Sequence, residues 1–486
     1  MALAIPLSII LDYQVLTSMK KTLLLLSAIT ALILSGLQAQ ETFPYNGIKD
    51  QREGWYAFTH ATVIPQAGQQ INNATLIIKE GRIISLTAGG AVPAGAIEID
   101  ATGKYIYPSF IDAYGEYGLP EAKAAGQRPR QLPQMPANKS GAYAWNEALK
   151  PEFRAHEHFQ PDDKAAGQLR AMGFGLLSSH QKDGISRGSS AVVSLGDGRP
   201  HELIIKPQGA HYMSFRKGVS TQNYPNSLMG IIALLRQTYI DADWYSNNTP
   251  DEVNLSLAAW QDMQELPQIF AVGDWQEALR ALTLAQEFDQ NYILKGTGDE
   301  YQRLDDLKAS GAAFIIPLEF PDAYDVADPY DAHQLSLTQL RHWEMAPANA
   351  GMMENAKIKF AITADGHSKA KDFLGALQQA IENGLSTDGA LRALTTTPAT
   401  MLGVSNEVGT IETGKWANLL ITSKPVFAKG CEIHHNWVQG KPFVIKSLDS
   451  PELSGNYRLK AGARTYNMII DSKGAKIKID KETELK

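Results

Sequence analysis

Beyond Pro267 the chain alternates apolar runs with amphipathic ones in a regular order, and this restricts the fold more than any other feature. Residues 268–272, 292–295, 312–318 and 359–363 read as strands, and 275–288 and 300–309 as helices between them. In the helix that follows 359–363, Phe373, Leu377 and Ile381 fall at i, i+4 and i+8 with Leu374 beside them, which puts one apolar stripe on one face. Ser386-Thr387-Asp388 is a capping sequence for a further helix over 390–402. Repeated strand–helix units demand a parallel sheet covered by helices, either closed as a barrel or open and doubly wound. No G-x-G-x-x-G follows an early strand, so a dinucleotide-binding sheet has little support.

The flanks read differently. Residues 55–99 hold short β-branched runs, 57–64 and 74–78, with turns at Glu80-Gly81 and Ala88-Gly89-Gly90, as in a small antiparallel sandwich. Residues 105–112 (YIYPSFID) form an apolar run suited to a buried strand. Residues 119–152 carry prolines at 120, 129, 133, 136 and 151 and no period, the signature of a lid or crossover loop. After it, 173–179, 191–195 and 202–206 are strand candidates and 228–239 a helix. Residues 408–445 return to strand and turn, and 456–479 hold alternating runs parted by Gly462 and Gly474 that read as extra strands.

Composition excludes some functions. With 486 residues, 44% hydrophobic and 20% charged, the chain can fill a large core with a satellite domain. A net charge of −7 with no basic stripe argues against a nucleic-acid partner. The single cysteine, Cys431, excludes an intrachain disulfide. At the N-terminus Met19-Lys20-Lys21, the apolar run 22–37 and Gln38-Ala39-Gln40 make a basic, an apolar and a small-residue region in the order of a secretory signal. A membrane anchor or a buried helix is the alternative. On the signal reading, translation starts at Met19, residues 1–39 are removed, and the protein is exported to the periplasm or beyond. No stop-transfer cluster follows, so no stable membrane span is expected after cleavage.

Two stretches carry a family likeness. Residues 393–420, ALTTTPATMLGVSNEVGTIETGKWANLL, resemble the C-terminal signature of the amidohydrolase superfamily through Pro398-Ala399, Leu402-Gly403, Gly409, Ile411-Glu412, Gly414-Lys415 and Ala417. Residues 81–112 are similar to the family's opening run through Gly81-Arg82-Ile83, Ile99-Asp100-Ala101, Gly103-Lys104 and Pro108-Ser109-Phe110-Ile111-Asp112. The match departs at Thr397 and Asn418, where the family favours Asn and Asp. The closest flavour is the imidazolonepropionase-like branch, which hydrolyses cyclic amides and related C–N bonds. The resemblance implies an α/β fold: a TIM-like (β/α)₈ barrel over 105–404, a composite β-sandwich from 40–104 and 405–447, and a β tail or linker over 448–486. It also implies zinc or another divalent ion held by an H-x-H after the first barrel strand, histidines ending the fifth and sixth, and an Asp ending the eighth. Such an ion ionises a bound water while the Asp takes or relays its proton.

Most of that ligand set is replaced here. Tyr114 and Glu116 stand at the H-x-H positions, the fifth-strand end (271–274) has no histidine, Lys295 ends the sixth, and only Asp365 matches the expected acid. Glu116, Asp365 and His367 are the candidates for a relocated catalytic cluster, weighed against solvated residues at a barrel mouth. Tyr114 is a candidate general acid or a filler of the vacated space. Other groupings are His156-Glu157-His158 in a polar stretch, Cys431-Glu432-Ile433-His434-His435 on a strand that would part its histidines, and Ser178-Ser179-His180 without a nucleophile elbow. The stretch 111–118 (IDAYGEYG) and the tail also resemble the first unit of envelope proteins that carry two amidohydrolase units in tandem. Three functions therefore stand open: a non-catalytic unit, with no cofactor, that pairs with a catalytic amidohydrolase unit or with itself; a hydrolase of C–N bonds with an atypical site; or a binder of a small cyclic amide or peptide-like ligand, with 119–152 as lid.

Overall fold

The computed structural model describes residues 54–123, 137, 139–248, 251–448, 455–461, 464–471, 474–479 and 483–485. The leader read over 1–39, the start of the sandwich segment and much of the proline-rich segment lie outside the described residues. Among the described residues no helix is long and apolar enough to cross a membrane.

The N-terminal segment gives β1 (Trp55–Val63), β2 (Ile71–Lys79), β3 (Arg82–Ala88), β4 (Ile97–Asp100) and β5 (Tyr105–Pro108). β1–β3 form an antiparallel meander, while β4 and β5 lie parallel to successive halves of β1. The run expected as one strand over 105–112 divides at Ser109, because the chain changes sheet there. The Ser109 amide donates to Asn418 O at 2.9 Å, and the Phe110 amide to Gly173 O at 2.9 Å.

Barrel strands follow: β6 (Phe110–Gly115), β7 (Phe174–Ser179), β8 (Ser186–Ser189), β9 (Ala191–Ser194), β10 (Ile204–Lys206), β11 (His211–Ser214), β12 (Gln268–Ala271), β13 (Tyr292–Lys295), β14 (Ala313–Pro317) and β15 (Phe360–Thr363). β6 and β7 are parallel, and β11 to β15 are parallel in sequence order. β8 and β9 are nearly one strand, parted only by Ser190, with β8 antiparallel to β11 and β9 antiparallel to β7. That strand joins the two parallel groups. On the opposite seam side chains bridge β6 and β15: Asp112 Oδ2 accepts from the Ala364 amide at 3.0 Å, and Thr363 Oγ1 donates to Tyr114 O at 3.3 Å.

Alternation along the strands divides the core in two. Ile111, Leu176, Val192, Tyr212, Ile269, Ile315 and Ala361 pack together inside the ring. Phe270, Leu294, Phe314, Ile316, Phe360 and Ile362, mostly their chain neighbours, face outward to helices such as Trp275–Glu287 and Ala370–Glu382. The first of these is capped by Asp274, whose carboxylate accepts from the Glu277 amide at 2.7 Å.

The C-terminal strands β16 (Leu419–Thr422), β17 (Ile433–Val438) and β18 (Lys441–Val444) return to the N-terminal sheet. β16 pairs antiparallel with β5, giving the order β18-β17-β16-β5-β1-β2-β3. Its core holds Phe58, Leu76, Ile106, Leu419, Ile421 and Trp437, whose indole meets the Phe58 ring edge-on at 5.0 Å. Both ends of the chain thus build one sheet. Beyond it β19 (Gly455–Ala461), β20 (Arg464–Asp471), β21 (Gly474–Ile479) and β22 (Thr483–Leu485) form an antiparallel meander.

Two other expected elements shift. The strand read over 202–206 begins as a helical turn, Pro200–Leu203, because Pro200 starts it and Glu202 accepts from the Arg199 amide at 2.8 Å. The helix read over 390–402 becomes Thr387–Leu394 and Thr396–Met401, since Pro398 has no N–H to offer the Leu394 carbonyl.

Candidate functional site at the barrel mouth

The C-terminal ends of β6, β7 and β15 converge on an open cleft of about 860 Å³, lined among others by Asp112, Tyr114, Glu116, Lys182, Asp365 and His367. Parallel strands place their last side chains at one end of the barrel, which is why residues distant in sequence meet there.

At its centre lies a carboxylate between two ammonium groups. Asp365 Oδ1 accepts from Lys182 Nζ at 2.5 Å, and Asp365 Oδ2 pairs with Lys295 Nζ at 2.8 Å. Burial alone would raise the Asp365 pKa, but the charges of Lys295 and Lys182 override it and hold the carboxyl below its ordinary range. Burial likewise opposes the charge on Lys182, and Asp365 more than restores it, so this ammonium titrates above its usual value.

Tyr114 organises the cations. Lys182 Nζ and Lys295 Nζ lie 4.9 and 5.1 Å from its ring centroid, within cation–π reach. Its hydroxyl accepts from Arg187 Nη1 at 2.8 Å, and Arg187 is itself buried at 6% exposure. Behind Tyr114, His180 stacks on Tyr212 at 3.7 Å, and neither of its ring nitrogens has a hydrogen-bond partner. Burial, then the nearby Arg187 and Lys182, hold that imidazole neutral, well below the usual pKa. Asp112 is buried beneath, with Oδ1 on the Tyr114 amide at 2.9 Å, and burial pushes its carboxyl up.

The expected site residues therefore gather only in part. Tyr114, Lys295 and Asp365 are brought together. Glu116 and His367 line the same cleft but are engaged elsewhere: Glu116 is exposed and accepts from the Lys182 amide at 3.1 Å, while His367 Nε2 lies 3.0 Å from Leu318 O. His158 lines the cleft stacked on Phe153 at 4.8 Å. Ser178 and Ser179 bond to Ser190 Oγ and Tyr117 O, so neither hydroxyl engages His180. His434 reaches Ser447 O at 3.0 Å and lies 3.2 Å from Lys104, while His435 Nδ1 is buried without a partner; the two histidines do not share a ligand. Lys182 and Arg187 were not singled out in the sequence, and His180 was weighed only as part of Ser178-Ser179-His180. The signal was available, because 180–182 directly follow a strand end, where a barrel site is built.

The donor set does not fit a divalent ion. Two ammonium groups occupy both oxygens of Asp365, and the Asp112 oxygens are taken by backbone amides. A cation placed among them would meet like charges at short range. Among the described residues no three His, Cys, Asp or Glu side chains converge.

Comparison with known proteins places this geometry. The fold is that of an amidohydrolase from Thermotoga maritima MSB8, with a TM-score of 0.63 and 19% identity over 80% of this chain and 100% of that one. A prolidase solved with N-methylphosphonate-L-proline gives a TM-score of 0.47 and 14% identity over 80% and 99%, too loose to carry more. No curated protein matches the chain. Residues 337–443 match the profile of the Amidohydrolase family. The chain thus shares the fold of that amidohydrolase and resembles the Amidohydrolase family over residues 337–443.

Proposed function

We propose that this chain is an exported amidohydrolase-fold protein that does not hydrolyse C–N bonds and serves as the companion of a catalytic unit. The observation that carries the reading is the Lys182–Asp365–Lys295 bridge. In hydrolysis of the family's kind a metal must ionise water beside the eighth-strand acid. Here that acid is neutralised by two ammonium groups and is held ionised by them, so it is a weak proton acceptor. The other end of the ligand set is a phenol already serving a buried guanidinium.

The test uses the full mature chain, expressed with zinc, manganese and iron available. Metal content far below one ion per chain is expected, with no turnover of cyclic amides or dipeptides. Stoichiometric zinc together with turnover would favour an atypical C–N hydrolase, the reading that the family-profile match supports. The export part is checked by N-terminal sequencing of protein recovered outside the cytoplasm, where a chain starting at Gln40 is expected.

A further inference from the structure

We propose that the barrel mouth binds the singly charged carboxylate of a small organic ligand, held between Lys182 and Lys295. The inference rests on the preceding reading, in that no divalent ion shares this space.

Three cations support the floor: Lys182, which lines the cleft, and Lys295 and Arg187, which contact the lining residues Asp365 and Tyr114. Arginine cannot shed its charge to relieve burial, and the buried Arg187 guanidinium has no carboxylate partner among the described residues; its hydrogen bonds go to Tyr114 Oη and Gly184 O. The floor offers two carboxyl groups in return. Asp365 is shared by both lysines, and Asp112 has its oxygens on the amides of Tyr114 and Ala364. An ammonium has three N–H donors, yet the only acceptor of each lysine among the described residues is one oxygen of Asp365. The remaining Lys182 donors have the cleft above them, and the Lys182 and Lys295 side chains keep 28% and 13% of their surface exposed. His180, wholly buried beside Tyr114, adds an imidazole without an acceptor.

Asp365 also displays the binding mode. Its two oxygens take one ammonium each, which is how an incoming carboxylate would span the same pair. The protein's own carboxylate is thus a built-in competitor. Charge on the rim narrows the class of ligand. Glu116, Glu157 and Asp162 line the cleft and are exposed. Screened as they are, they repel a doubly charged phosphate more than a single carboxylate.

Propionate is the probe, with inorganic phosphate and chloride at matched ionic strength. Titration calorimetry on the mature chain should show one saturable propionate site, with phosphate weaker. Asp365→Asn should tighten propionate on the order of tenfold, because it removes the competitor and leaves both ammonium groups, whereas Lys295→Met should abolish binding. The proposal falls if propionate does not saturate Asp365→Asn protein of native circular dichroism, if Lys295→Met binds like the parent, or if phosphate binds more tightly. Should Asp365→Asn fail to fold, Lys182→Met decides: it must lose propionate. Zinc content read on the same preparations separates the two proposals. A metal-free chain indifferent to propionate sinks only the carboxylate site, while stoichiometric zinc sinks the companion reading.

Discussion

Tyr114 shows how one phenol organises its surroundings. A phenol accepts a hydrogen bond at its hydroxyl and presents a negative face to cations, so it gathers Arg187 at one and Lys182 and Lys295 at the other. Tyr114→Phe keeps the ring and removes the acceptor. Arg187 is then left with the Gly184 carbonyl alone at 3.3 Å, inside a site that excludes most water. We expect a loss of about 1–3 kcal/mol in unfolding free energy, measured by urea denaturation. A loss under a few tenths would mean that the guanidinium finds another acceptor. Tyr114, Lys295 and Asp365 were legible in the sequence because they sit at fixed offsets from recognisable strands. Their pairing was not, since Lys182 lies in a polar stretch with no period and no motif.

At the scale of elements, strands with apolar runs were legible and strands with polar interiors were not. β12 to β15 were found within a residue or two, but β8 (SRGS) and β11 (HYMS) were missed. Their buried polar groups satisfy one another, as where Ser186 Oγ and His211 Nε2 lie 2.9 Å apart and His211 Nδ1 lies 2.8 Å from Gln268 Oε1. Hydrogen bonding there replaces the hydrophobic pattern on which strand recognition depends. The composite sheet depends on a different local device. Gly81 and Gly440 both have positive φ, and a Cβ on Gly440 would lie 2.5 Å from Gly81 Cα. Gly440→Ala therefore combines left-handed strain with a backbone clash, and should cost more than about 2 kcal/mol in the same denaturation assay. Gly414→Ala, also at positive φ but with open space around it, should cost less.

For the whole molecule, two buried imidazoles set the acid limit. His180 is held well below its ordinary pKa by burial and by Arg187 and Lys182, and burial lowers His211 to about 4. Their lowered values mean that the unfolded chain takes up protons near pH 6.5 that the folded chain refuses. Stability is therefore unaffected by these groups above pH 6.5 and falls steadily as pH drops from there towards 4. Each contributes up to about 1.4 kcal/mol per pH unit. Thermal midpoints recorded between pH 7.5 and 4.5 should decline below 6.5, and His211→Gln should flatten part of that slope. An unchanged midpoint across the range would mean that both rings titrate in the fold as they do in the unfolded chain.

The sheet shared by the two ends of the chain imposes an order on synthesis. Ile106 of β5 waits for Ile421 of β16, and the whole barrel is made in between. Until the ribosome has delivered that partner, β5 carries a bare row of amides and carbonyls, open to pairing with any neighbouring nascent chain. Chains stopped short of Leu419 should accordingly precipitate even with every barrel strand present, so this protein cannot be shortened to its barrel.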